Sequence, residues 1–214
     1  MKKLLDGYAK FKSEVYERHK NRFKSLADKQ KPHTLFITCS DSRVMPEMIT
    51  QSEPGELFIC RIVGNLVPAH GSAMGGVSSA IEYAVMVLGV EHIVVCGHSD
   101  CGAMRAFMHP ERLVPLKAVS AWLEHANMAI TMANAHHAHL QGDEFLEALA
   151  QENVISQLQH LNTHPCVASQ LRGGKLRLHG WYYNIGTGDV AQYHESEQRF
   201  VPLSAEAHAV LATP

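Results

Sequence analysis

Two short polar segments each follow an apolar run, and together they contain the residue types of a metal site. The first is CSDSR at 39–43, directly after TLFIT, and the second is GHSDCGA at 97–103, directly after HIVVC. Thiolate and imidazole are ligands suited to zinc, so Cys39, His98 and Cys101 are candidate zinc ligands. Three protein ligands leave a fourth coordination position open, as a catalytic zinc requires.

Each of these residues also has an ordinary structural interpretation. A single cysteine after a strand is more often a small buried apolar residue than a ligand. The metal interpretation depends on both segments standing at the same kind of position, after an apolar run. Cys60 and Cys96 lie inside apolar runs and are predicted to be inert core thiols. The histidines of HHAH, at 136–139, are predicted to be a solvated helix end.

The elements that must position these segments alternate between strand and helix. Strands are predicted at 34–38, 56–63, 92–96 and 175–185, and helices at 77–88, 117–135 and 143–162. This alternation predicts an α/β fold with a parallel sheet core flanked by helices. The turn GTGD predicts a hairpin that adds VAQYH as an antiparallel edge strand. Ligands bind at the carboxyl ends of such strands, so the two polar segments are expected to converge there.

The N-terminal residues have the helical period, with apolar residues at Leu4, Tyr8, Phe11 and Val15. Residues 1–28 are therefore predicted to be an amphipathic helical arm that ends before Lys31-Pro32. No shift of composition marks a linker, so residues 1–214 are predicted to form a single domain, with residues 1–30 as its arm.

The composition excludes several classes of function. The 214 residues contain 19 Lys and Arg against 21 Asp and Glu, so the basic excess that nucleic-acid binding requires is absent. No apolar stretch reaches 18 residues and the N-terminus lacks the pattern of a signal peptide, so neither a membrane span nor secretion is expected. Five cysteines without a secretory signal predict reduced thiols and a cytoplasmic protein.

These segments resemble those of the β-class carbonic anhydrases, in the plant-like type found in bacteria, over nearly the whole chain. CSDSR and GHSDCGA resemble the zinc motifs of that family, and RIVGNLVP, GGVSSAIEYAV, ENVISQLQHL and LHGWYYNI resemble its framework segments. The resemblance implies a lyase that reversibly hydrates carbon dioxide to bicarbonate and a proton by zinc-bound hydroxide. It implies Zn²⁺ as the cofactor, held by Cys39, His98 and Cys101. It also implies a homodimer or a dimer of dimers, in which the arm packs on the partner subunit.

The resemblance further implies which residues act beside the metal. Asp41 and Arg43 match the catalytic pair of the family. The substrate pocket is expected to contain Gln30, which matches a glutamine that lines the partner's active site in plant-type members, and four further residues: Phe58, Val63, Tyr83 and Gly102. Some bacterial members bind bicarbonate at a second site, and Arg61 and Tyr183 match two of its residues. Phe36 replaces the tryptophan of that site and has no N–H to donate, which argues against such a site here.

The chemistry of Asp41 and Arg43 also follows from their side chains. A carboxylate two residues from a zinc thiolate either accepts the hydrogen bond of bound hydroxide or coordinates zinc as a conditional fourth ligand. An arginine that pairs bidentately with Asp41 would hold the carboxylate off the metal. Two thiolates neutralise the zinc charge, so the pKa of the bound water is expected above the value of roughly 7 known for the three-histidine carbonic anhydrases.

Two alternatives to carbon dioxide hydration remain at this point. Some members of the same family hydrolyse carbon disulfide or carbonyl sulfide, and the motif residues are compatible with that reaction. A protein of another class would use the zinc only structurally, with Cys60 or Cys96 as a fourth ligand and no catalysis. A structural site of that kind should be closed to anions such as azide.

Overall fold

Six strands form one sheet in the computed structural model, which describes residues 1–72 and 75–203. The strands are β1 (Thr34–Thr38), β2 (Leu57–Arg61), β3 (His92–His98), β4 (Arg177–Tyr183), β5 (Val190–His194) and β6 (Arg199–Pro202). Their order across the sheet is β2-β1-β3-β4-β5-β6. The first four strands pair in parallel and the last two pair antiparallel. The predicted parallel core with an antiparallel addition is therefore confirmed.

The outer edge of the sheet differs from the prediction. VAQYH forms β5 and pairs antiparallel with β4, as predicted, but β6 pairs with its other side and is the edge strand. The sequence RFVP did not indicate this strand, because it is only four residues long and ends in Pro202. Proline cannot donate to a ladder, so its place at the end of an edge strand agrees with its chemistry.

Ten α-helices lie in the part of the chain that the structure describes. They are α1 (Lys2–Lys10), α2 (Tyr16–Arg18), α3 (Lys20–Ser25), α4 (Pro46–Thr50), α5 (Gly76–Glu82), α6 (Gly102–Met108), α7 (Lys117–Leu123), α8 (Asn127–His136), α9 (Gly142–Asn162) and α10 (Pro165–Arg172). Two π-helical segments continue α1 and α5, and 3-10 turns include Val63–Asn65 after β2. None of the described helices is long and apolar enough to cross a membrane.

The strands bury different residues on the two faces of the sheet, because successive side chains of a strand point in opposite directions. On one face, Leu35 and Ile37 of β1 pack with apolar residues of α5, α9 and α10. On the other face, Phe36 packs with Val94 and Cys96, and its ring meets Trp181 edge to face at 5.8 Å. The helices packed on the first face hold the sheet in place. Because the first four strands are parallel, their carboxyl ends lie together at one edge of the sheet.

The N-terminal arm is helical, as predicted, but it is not one continuous helix. The chain bends at His19, where φ is −101° and ψ is 15°, between α2 and α3. Arg22 of α3 donates to the carbonyl oxygen of Pro54, which ties this helix to the rest of the chain. The apolar side chains of α1 remain exposed within one chain: Leu4 by 71%, Leu5 by 61% and Tyr8 by 65%.

Gly97 is expected to be intolerant of a side chain because α9 approaches β3 closely there. A Cβ at this position would lie 2.7 Å from Cγ2 of Val154 and 3.3 Å from the carbonyl oxygen of Ala150. We expect Gly97→Ala to lower the free energy of unfolding by about 1–3 kcal/mol, measured by denaturant titration with chelator present. Gly7→Ala is the control, since nothing lies within 4 Å of its added Cβ. Equal stability of the two variants would contradict this account of the packing.

Candidate metal centre

The three predicted metal ligands converge at the carboxyl ends of β1 and β3. Cys39 directly follows β1, His98 is the last residue of β3, and Cys101 is the N-cap of α6. The Sγ atoms of the cysteines and a ring nitrogen of His98 all lie within 4.8 Å of one another. The three residues are exposed by only 6%, 0% and 1%. Neighbouring parallel strands bring the two segments together, as expected from the pattern of the sequence.

His98 is held in the tautomer that a metal ligand needs. Its Nδ1 lies 2.8 Å from the carbonyl oxygen of Ser99, and a carbonyl only accepts, so Nδ1 carries the proton. The lone pair is therefore on Nε2, which is buried without a hydrogen-bond partner among the described residues. A buried polar atom without a partner is costly, and coordination of a cation would satisfy it.

The two thiols of the cluster are electrostatically coupled. The hydrogen bond between them lowers the pKa of Cys39 well below its ordinary value, and the Cys39 thiolate raises the pKa of Cys101. The backbone N–H of Gly64 also donates to Sγ of Cys39, at 3.4 Å. A divalent cation bound between the two sulfurs would favour the thiolate form of both, because it would neutralise their negative charges.

The other strand cysteines do not belong to this cluster. Cys60 packs against the helix-covered core, and Cys96 is buried on the opposite face, where burial raises its pKa to about 12. Among the described residues, the metal-ligand cluster contains Cys39, His98 and Cys101 and no fourth cysteine. The alternative of a closed structural zinc with Cys60 or Cys96 as a ligand therefore finds no support in the geometry.

Asp41 and Arg43 form the bidentate pair expected from their side chains. Nε of Arg43 donates to Oδ1 of Asp41 at 2.9 Å, and Nη2 donates to Oδ2 at 2.8 Å. The backbone N–H of Arg43 donates to the same Oδ1, at 3.0 Å. These donors hold the pKa of the Asp41 carboxyl far below its usual range. The carboxylate is thus charged, and both of its oxygens are occupied by Arg43.

Two residues at this site were not recognised from the sequence as supports for the loop after β1. The guanidinium of Arg61 donates to the backbone carbonyls of Cys39 and Asp41, which fixes the path of the chain between them. Asp100 accepts a hydrogen bond from Arg43 at 3.0 Å. Asp100 lies within GHSDCGA, but no pattern in the sequence indicates that its side chain points at Arg43.

The predicted pocket residues separate into two groups within one chain. Val63 and Gly102, the residue that follows Cys101 in the chain, line the same cavity of about 360 Å³. Phe58 and Tyr83 lie against each other, with ring centroids 5.9 Å apart. Phe58 pairs with Leu35, near the amino end of β1, and so lies at the opposite end of the strands from the cluster.

Two further predictions concern the periphery of the chain. Gln30 is exposed in the segment between α3 and β1. His136 ends α8 and is exposed, and His137 pairs with Glu152 at 3.2 Å. The prediction of a solvated helix end is thus confirmed for His136 and His139, whereas His137 is half-buried.

Comparison with known proteins identifies a consistent set of relatives. Residues 34–190 match the protein family described as carbonic anhydrase. The chain is 50% identical to the carbonic anhydrase of Pseudomonas aeruginosa over 216 residues, which cover 100% of this chain and 98% of that protein. It is similar to the solved structure of the β-carbonic anhydrase CcaA, with a TM-score of 0.93, 41% identity, and coverage of 95% of this chain and 99% of that one. It is also similar to a tetrameric β-carbonic anhydrase of Sordaria macrospora, with a TM-score of 0.77, 28% identity, and coverage of 88% and 94%.

Proposed function

We propose that this chain, which belongs to the β-class carbonic anhydrases, performs the reaction of that family, reversible hydration of carbon dioxide to bicarbonate, at a zinc ion held by Cys39, His98 and Cys101. The observation that carries the zinc assignment is the buried cluster of two thiols and one imidazole. Nε2 of His98, which is buried without a hydrogen-bond partner among the described residues, is the strongest sign that a cation belongs there. Zinc prefers this donor set, and three protein ligands leave one position open for catalysis.

The residues around the cluster fit the demands of the reaction. When bound, zinc acidifies a coordinated water and thereby supplies a nucleophile near neutral pH. We assign to Asp41 the role of accepting a hydrogen bond from that water and orienting its lone pair, and to Arg43 the role of keeping the carboxylate in position. The two hydrogen bonds that Arg43 donates to Asp41 support this assignment. Carbon dioxide is linear, uncharged and a poor hydrogen-bond acceptor, so it needs an apolar wall. Val63 and Gly102 line a cavity of that character.

Stopped-flow hydration of carbon dioxide by protein of measured zinc content tests this proposal. We expect activity proportional to bound zinc. Hydrolysis of carbon disulfide and carbonyl sulfide should be measured on the same preparation, because these reactions are the alternative at the same zinc site. A zinc-loaded protein that hydrolyses either sulfur compound but does not hydrate carbon dioxide would refute the proposal. Tight binding of azide would further exclude a closed structural site.

We also propose that the active protein is a homodimer or a dimer of dimers, with the arm of one subunit packed on the other. The exposed apolar side chains of α1 support this proposal, because an amphipathic helix buries its apolar face. The separation of Phe58 and Tyr83 from the cluster of the same chain supports it as well. These residues and Gln30 would then serve the site of the partner subunit. The need for two reduced thiols, Cys39 and Cys101, supports a reducing compartment such as the cytoplasm.

Replacing the apolar side chains of α1 is expected to weaken subunit association. The double variant Leu5→Ser/Tyr8→Ser removes two large exposed apolar side chains without touching the folded core. We expect its dissociation midpoint, measured by analytical ultracentrifugation over a dilution series, to move to a clearly higher protein concentration. Lys3→Ser/Lys10→Ser is the matched control and should leave the midpoint close to that of the parent. A double variant that associates like the parent would contradict this role of the arm.

A further inference from the structure

Arg43 is held from two sides, and only one of them is Asp41. Nη1 of Arg43 donates to Oδ2 of Asp100 at 3.0 Å, and Nη2 donates to the backbone carbonyl oxygen of Asp100 at 3.1 Å. The edge of the guanidinium that faces away from Asp41 is therefore fixed by a residue of the loop between β3 and α6. This contact joins the loop after β1, which carries Cys39, to the loop that carries Cys101.

Asp100 is itself fixed in two ways. Its φ of +53° lies in the left-handed region, which is uncommon for a residue other than glycine, although aspartate is among the residues that adopt it most readily. Its Oδ1 accepts two hydrogen bonds from Arg105 of α6, from Nε at 3.1 Å and from Nη2 at 2.7 Å. Arg105 also donates to Oδ1 of Asp143, at the start of α9.

The charges along this chain of contacts alternate in sign. Asp41, Arg43, Asp100, Arg105 and Asp143 follow one another, each within 3.0 Å of the next. The side chain of Arg43 is 44% exposed, and an isolated ion pair at such a position contributes little, because both side chains exchange readily with water. Arg43, Asp100 and Arg105 are each held by two partners, which restricts rotation of Arg43 far more than one pair does.

We propose that Asp100 and Arg105 are positioning residues that keep Arg43 paired with Asp41 and thereby keep the Asp41 carboxylate off the metal. The inference rests on the proposed zinc site. Without Arg105, the Asp100 carboxylate loses both donors to Oδ1 and turns more freely, so the second anchor of Arg43 weakens. Arg43 then leaves Asp41 more often, and the released carboxylate is an anionic oxygen ligand two residues from Cys39.

This positioning role and simple damage to the structure predict opposite changes in the rate at which zinc leaves an Arg105 variant. If Arg105→Met frees Asp41 to coordinate, the zinc gains a fourth protein ligand and leaves the protein more slowly. If Arg105 only stabilises the fold, its loss loosens the ligand loops and zinc leaves faster. The slower zinc release should also disappear when Asp41 is replaced by asparagine, because asparagine is a much weaker zinc ligand than a carboxylate.

The experiment measures the rate of zinc release from the full-length holoprotein to an excess of the coloured chelator 4-(2-pyridylazo)resorcinol. The variants are Arg105→Met, Asp41→Asn and the double variant. Arg172→Met is the control, because it removes an exposed arginine at the end of α10, outside the ion pairs described for Asp100 and outside the cavity that Val63 and Gly102 line. We expect release from Arg105→Met to be several-fold slower than from the parent, with weaker azide binding, and the control to match the parent. We expect Arg105→Met to have no such effect in the Asp41→Asn background.

Other rates of zinc release would contradict the positioning role of Arg105 or the proposed function. Unchanged or faster release from Arg105→Met, or equal slowing with and without Asp41, would overturn the positioning role. Arg105→Lys, which keeps the charge but loses the bidentate geometry, should fall between the parent and Arg105→Met. A parent protein that holds no zinc would instead refute the proposed function, so the two failures are distinguishable.

Discussion

Replacing any one of the three metal ligands is expected to remove both zinc and catalysis. Purified Cys39→Ser, His98→Ala and Cys101→Ser should each retain less than about a tenth of the zinc of the parent, which should carry about one zinc per chain. Carbon dioxide hydration should fall by about 10³-fold or more, since the nucleophile depends on the metal. Zinc is measured by atomic emission after dialysis, and hydration by stopped flow on the same samples.

The physical reason differs among the three ligands, which makes the set informative. Serine at 39 or 101 replaces a thiolate by a hydroxyl that stays protonated near neutral pH, so it binds zinc poorly. Alanine at 98 removes both the Nε2 that would bind zinc and the Nδ1 that donates to the carbonyl oxygen of Ser99. It also leaves a cavity at a fully buried position, so the metal-free variant should be less stable than the metal-free parent.

Cysteines outside the cluster supply the controls. Cys60→Ser and Cys96→Ser introduce the same chemical change in β2 and β3, the two strands that flank β1. Both should keep full zinc content, although Cys96→Ser is expected to lower stability because Cys96 is fully buried. Loss of zinc from either control would revive the structural-zinc alternative. Full occupancy in all three ligand variants would disprove the assignment of the ligands.

The convergence of Cys39, His98 and Cys101 could be predicted from the sequence because their position depends on local features. Cys39 and His98 each end an apolar strand, and adjacent parallel strands place such ends side by side. The bidentate pair of Asp41 and Arg43 was predictable for a related reason, since the two residues are only two positions apart. Neither prediction needed knowledge of distant contacts.

The support for Arg43 was not predictable, because it depends on backbone angles and on contacts between distant elements. Asp100 contacts Arg43 from a backbone with positive φ, and the sequence HSDC does not reveal that conformation. Arg105 reaches Asp143 across 38 positions of the chain. The edge strand β6 was missed because a strand of four residues has too little pattern to distinguish it from a loop. The contacts of Asp100 and Arg105 depend on how the loop after β3 packs against the loop after β1 and against α9.

Arg43→Ala is expected to abolish most activity even at alkaline pH. In the parent, Arg43 occupies both carboxylate oxygens of Asp41, so the carboxylate is held in one orientation. Alanine removes all of these side-chain donors and the second anchor to Asp100 at once. The carboxylate is then free to turn towards the cluster and to compete with water for the open coordination position, which would close the site to substrate.

The pH profile separates this effect from a general loss of structure. Arg43 holds the pKa of Asp41 far below its usual value of about 3.9, so Asp41 stays ionised throughout the range from pH 6 to 9. A rise of parent activity from pH 7 to 9 is therefore expected to report deprotonation of the nucleophile and not of Asp41. At the lower pH the protonated nucleophile is the weaker ligand, and Asp41 should then compete best for the metal. The closed site is expected to predominate there.

Arg43→Ala should remove most of this rise, because its site remains closed at pH 9, whereas Asp41→Asn should weaken catalysis without loss of zinc and without closure. Arg43→Lys is the conservative control and should recover part of the activity, because a lysine keeps the charge but donates to only one carboxylate oxygen at a time. The decisive measurement is a crystal structure of zinc-loaded Arg43→Ala at alkaline pH. We expect a carboxylate oxygen of Asp41 on the metal. Asp41 turned away from zinc in that structure, or a flat pH profile for the parent, would show that Arg43 does not hold the site open.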